Sequence, residues 1–142
     1  MGAGATRTLI DHLVDAGMIT VSAMGCILTD IGRKSWREVT ARIGEGATVP
    51  KSSITPPGEY NVGILVRDCG DKVRLGLEQR DEAVRAGARG ATTLIFKDGR
   101  LWMPPSGCIE GDKGNSFTEQ ILSLFEPMEN DVIILVGADS EM

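Results

Sequence analysis

The sequence predicts an α+β protein in two parts: a helix, a two-strand hairpin and a second helix, followed by a β-α-β-β-α-β domain. Three observations predict it. An apolar stripe at helical spacing near the start ends on a glycine. A proline- and glycine-rich stretch then breaks all periodicity at 44–58. Beyond it, short β-branched runs alternate with two amphipathic segments. The boundaries implied are a first part at 1–44, a linker at 45–58 and a second domain at 59–142.

Leu9, Ile10, Leu13 and Val14 form the first stripe, from about Ala5 to Ala16, and Gly17 stands where a left-handed cap closes a helix. Met18 to Ser22 and Cys26 to Thr29 are β-rich runs around Ala23-Met24-Gly25, a hairpin tip. Thr29 or Asp30 can cap a helix over Ile31 to Ile43, with Trp36, Val39 and Ile43 on one face. The next fifteen residues, GEGATVPKSSITPPG, hold three prolines and three glycines and read as a linker or an extended crossing segment.

Tyr60 to Val66 is a buried-strand candidate, and Leu77 to Ala86 a helix closed by Gly87. Ala91 to Phe96 is a strand that Lys97-Asp98-Gly99-Arg100 turns into Leu101 to Met103, Asp-Gly being a strong hairpin signal. Ser116 and Glu119 make a capping box ahead of Ile121, Leu122, Leu124 and Phe125, and Asp131 to Val136 is a buried strand. This order matches the ferredoxin-like split βαβ arrangement. With both helices on one face, it would bury Ile64, Leu65, Val84, Leu94, Phe117, Ile121, Ile133 and Leu135.

Composition narrows the function classes. The net charge is −5, with residues 1–50 balanced and the acidity all in 51–142, so any nucleic-acid contact must come from a local patch. Cys26, Cys69 and Cys108 form no C-x-x-C pair, which favours neither a disulfide framework nor a zinc site and makes a reducing cytoplasm the expected location. The apolar run Val132 to Val136 is far short of the ~20 residues of a membrane helix.

Candidate chemistry is sparse. The opening GAGA has no strand before it and G-x-x-x-x-G-K-[ST] is absent, which argues against a phosphate loop. His12 is the only histidine, with no serine or cysteine beside it, and Cys69 and Cys108 read as fillers rather than nucleophiles. Glu78 and Glu82 are ordinary i,i+4 neighbours on a solvated helix face. Gln79 and Arg80, near a helix start, and Arg67 and Asp68, in a polar Gly-rich loop, are the candidates for an anionic or small-molecule ligand. No catalytic constellation, metal site or cofactor is expected.

ATRTLIDHLVDAGMITVSAMGCILTDIGRKSW resembles the recognition helix, wing and L-T-x-x-G segment of winged helix-turn-helix transcription regulators. Together with GLEQRDEAVRAGARGATTLIFKDGRLWMP at 76–104, the chain is similar to archaeal regulators of this type with a C-terminal domain of unassigned role. The resemblance implies a partial winged helix at 1–44. It puts Arg7, Thr8 and His12 on a helix that enters the major groove, Ser22 and Met24 in the wing, and Arg33, Lys34 and Arg37 against phosphate.

It further implies a double-stranded DNA partner, a homodimer and a possible effector, with the loops Asp68 to Arg74 and Met103 to Gly114 as places for the effector. The expected function is a DNA-binding regulator, not an enzyme. The alternative is an interaction or small-molecule module that keeps a winged-helix remnant. Because the chain opens on the recognition helix, Leu9, Ile10, Leu13 and Val14 are expected to need cover from an upstream segment, the second domain or a partner chain.

Overall fold

A computed structural model describes residues 2–109 and 117–139. Its contacts divide the chain after Ala41 into two compact units.

In the first unit, helix α1 (Ala3–Asp15) ends at Ala16, and Gly17 takes φ 69°, the left-handed turn the sequence led one to expect. Strands β1 (Ile19–Ser22) and β2 (Gly25–Leu28) pair antiparallel around Ala23-Met24. Helix α2 (Asp30–Thr40) stops three residues before the expected Ile43, which belongs to the second unit and there bridges to Val66. Thr29 caps α2: its Oγ1 accepts the Gly32 N–H at 3.0 Å and donates to the Gly17 carbonyl at 2.6 Å. One side chain thus ties the start of α2 to the end of α1.

The second unit is a six-stranded antiparallel sheet with two helices. It comprises β3 (Ala47–Thr48), β4 (Tyr60–Val66), α3 (Leu77–Arg85), β5 (Gly90–Lys97), β6 (Arg100–Met103), β7 (Gly107–Cys108), α4 (Phe117–Phe125) and β8 (Val132–Ala138). The sheet order is β3-β4-β8-β5-β6-β7. Register aligns Leu65 and Leu94 with Ile133 in one row across three strands, and α4 lays Ile121 and Phe125 on the core they share with Leu101, Leu135 and Val49. Each such side chain contributes about 1.5–3 kcal/mol by leaving water.

Three expectations are corrected here. The 45–58 stretch is part of the sheet domain, not a linker. Ala47 and Thr48 pair with Gly63 and Val62, Val49 enters the core, and the Thr92 hydroxyl donates to the Ile54 carbonyl at 2.8 Å. β-α-β-β-α-β is the order of the main elements, but the sheet is not ferredoxin-like. The last strand, β8, lies between the first two, β4 and β5, where that arrangement places the third.

Nor do both helices cover one face. The start of α3, at Gly76, sits against Thr93, which alternates with core residue Leu94 and so points to the other side of the sheet. Along α3, Gln79 and Ala83 are half-buried while Leu77 and Val84 are exposed, so Val84 leaves the expected core, and Ile64, in one row with Ile134 and Thr93, is half-buried on the face opposite Leu65. Phe117 packs partly on the core, and Ser116 of the expected capping box lies outside the described residues.

Candidate functional site

In the first unit, spacing on α1 sorts its residues into two sides. Ala3, Thr6, Arg7, Ile10, Asp11 and Val14 recur at steps of three and four and, with Val21 of β1, line an open groove of about 730 Å3. Thr8 and His12 fall on the opposite side, together with Asp15. Arg7, expected beside Thr8 and His12 as a reading residue, therefore stands on the groove side next to Asp11. The Thr8 hydroxyl donates to the Gly4 carbonyl at 3.1 Å.

At the hairpin tip the Ser22 hydroxyl donates to the Gly25 carbonyl at 3.3 Å and accepts the Met24 N–H at 3.2 Å. That fixes a turn from which Met24 projects, 95% exposed. On α2, Arg33 pairs with Asp30 at 3.1 Å and Lys34 approaches Glu38 at 4.0 Å, both at the surface. Such exposed pairs hold weakly and leave the cations open to a phosphate. Arg7 and Arg37 make no ion pair among the described residues. Cations Arg7, Arg33, Lys34 and Arg37 are matched by Asp11, Asp15, Asp30 and Glu38, so the unit presents no net positive field.

What the sequence only hinted at is how little of this unit is covered: within 2–41 only Ile19 and Gly32 are buried. Leu9, Val14, Val21, Ile27, Ile31, Trp36 and Val39 are all exposed. Exposed apolar side chains thus lie on all four elements of the unit.

In the second unit, Arg67 and Asp68 lie in a polar cluster built by the loops after β4 and before β8. The Asp131 carboxylate, almost fully buried, accepts Arg67 Nη1 at 2.7 Å and the backbone N–H groups of Met128 at 2.8 Å and Asp68 at 2.9 Å. Burial pushes its pKa up, but the Met128 and Asp68 N–H bonds and the Arg67 charge outweigh it and hold the carboxyl below its ordinary value. Asn130 donates from Nδ2 to Asp68 at 2.6 Å and Asp71 at 3.2 Å, and its Oδ1 accepts the Asp71 N–H at 2.9 Å. Asp68 and Asn130 both take positive φ, 50° and 69°. The sequence marked the loop, not Asp131, which read only as the start of a strand.

Gln79 and Arg80 are not joined to this cluster by any bond among the described residues. Arg80 pairs with its neighbour Asp81 at 3.0 Å, while Gln79 Oε1 and, on the sheet, Thr93 Oγ1 are buried without a hydrogen-bond partner among the described residues. A hollow of about 370 Å3 lies between Arg100, Leu101, Cys108, Ile109, Thr118 and Leu122, beside the second loop expected to meet an effector. Residues 110–114 of that loop lie outside the described ones. Among the described residues no cluster of His, Cys, Asp and Glu could hold a metal ion, and no helix is long and apolar enough to cross a membrane.

A solved structure, "Hypothetical protein PH0730 from Pyrococcus horikoshii OT3", is similar to this chain with a TM-score of 0.55 at 21% identity. The match covers 99% of this chain and 70% of that one, a likeness of fold. No curated protein matches. Residues 57–142, well over half of the chain, match the model of a domain of unknown function, and the chain belongs to that family, DUF4443.

Proposed function

We propose that the chain is a DNA-binding transcription regulator in which α1, the β1–β2 hairpin and α2 serve as the latter half of a winged helix. The DUF4443 domain would then supply dimerisation or effector sensing. The observation that carries this reading is the Thr29 junction, which fixes α1 and the hairpin against α2 and leaves Thr8, His12, Ser22 and Met24 on open surface. Arg33, Lys34 and Arg37 on α2 are the phosphate contacts of this reading.

Fluorescence anisotropy of the chain on labelled duplex DNA across a salt series tests it. Log K falls with log salt at a slope of about −0.9 per phosphate contact, and Lys34→Ala and Arg37→Ala each reduce the slope by about one contact. His12→Ala changes the preference among sequences instead. Absence of binding at low salt overturns the reading.

A second reading, an interaction module that does not touch DNA, is favoured by the balanced charge and by the exposed Trp36, Val39 and Ile31 on α2. A chain without DNA affinity whose Trp36 emission shifts on adding a partner would support it.

A further inference from the structure

We infer that the α1 groove is the seat of α1 from a second copy of this chain, the two helices packing antiparallel about a two-fold axis. The inference goes beyond DNA reading and stands without it. Its basis is that the groove wall is complementary to itself. Arg7 and Asp11, opposite charges one turn apart, both line it, and the apolar positions are graded in size: Ala3 and Thr6 toward one end, Ile10 in the middle, Val14 at the other.

Now place a two-fold axis between Leu9 and Ile10. At 1.5 Å of rise per residue, Arg7 of one helix comes to within about 1.5 Å, along the axis, of Asp11 in the second copy, and the same pairing repeats on the other side. Val14 falls between the small Ala3 and Thr6 of the second copy, and the two Ile10 side chains meet near the axis. Small against large at both ends permits close approach. A parallel pairing instead sets Val14 against Val14 and Arg7 against Arg7, crowding one end and placing like charges together. Val21 of β1 walls the groove, and no net charge on the unit opposes the association. Thr8 and His12, on the far side of α1, remain free.

The test is oligomeric state in the absence of DNA, followed by sedimentation or light scattering on the full chain. Wild type is dimeric. Arg7→Asp and Asp11→Arg each raise the dimer dissociation constant at least about tenfold, because each places two like-charged pairs across the axis. Mixing the two variants restores a heterodimer, in which every cross-axis pair is again opposite. Wild type that stays monomeric at high micromolar concentration overturns the inference, as do single variants that dimerise like wild type or a mixture that fails to associate.

A second measurement does not depend on charge. In a Cys26→Ser background, Ile10→Cys forms an intermolecular disulfide under mild oxidation while Thr8→Cys on the opposite side does not. Equal cross-linking of both, or of neither, overturns the inference too. Loss of DNA binding with the dimer intact would count against the regulator reading alone.

Discussion

Asp131 gathers three donors from two loops onto one carboxylate, and so ties the loop after β4 to the loop before β8. Asp131→Asn removes the charge that Arg67 and the two N–H groups face, at a cost of order 1–3 kcal/mol in unfolding free energy. The sign with pH follows from the lowered pKa. The group's contribution is fully present above the unfolded carboxyl value of about 3.9 and is lost as pH falls through the lower folded value. Urea melts of wild type and Asp131→Asn should therefore differ at neutral pH and converge in acid; curves that stay parallel below that window would refute the assignment. Little of this was legible in the sequence. Arg67 and Asp68 were readable as a polar loop, but their partner lies more than sixty positions along the chain, and nothing local marks it.

At the scale of elements, legibility tracked how locally each one is determined. The 97–100 turn was readable because Asp98 and Gly99 both adopt positive φ, which Asp-Gly favours. The α2 start was readable because Thr29 acts on residues three positions away. Strand β3 was not: Ala47 and Thr48 sit among glycines and prolines and become a strand only because β4 offers them an edge. The α3 orientation was hidden for the reverse reason, since its apolar Leu77 and Val84 face outward while Gln79 is turned in.

The fit of α4 to β4 is set by Gly63, where an added Cβ would lie 2.5 Å from the Phe125 ring and 3.0 Å from Val49. Gly63→Ala is thus expected to cost about 1–3 kcal/mol by overpacking, and Gly63→Ala with Phe125→Leu to recover part of it. Thermal melts that add the two losses without recovery would show that this contact does not set the helix position.

On the scale of the whole chain, a short helix–hairpin–helix with almost no buried residue precedes a sheet domain with a full core. The apolar core of the described residues belongs to the second. The sheet is joined through β8, which pairs with β4 along seven residues and with β5 along six. A chain stopped after Asp131 should therefore lose the cooperative unfolding of the second unit altogether, in circular dichroism and in limited proteolysis alike. Protection of β4 and β5 in such a chain would show that they hold together by some other route.

The position of β8 also has a consequence for synthesis. The strand that closes the sheet is translated after every strand it joins, so β4 and the β5–β6 hairpin leave the ribosome with open edges and an uncovered apolar face. Folding of this domain then waits on the synthesis of β8, and until that strand emerges the nascent protein depends on whatever shields unpaired strands in the cell.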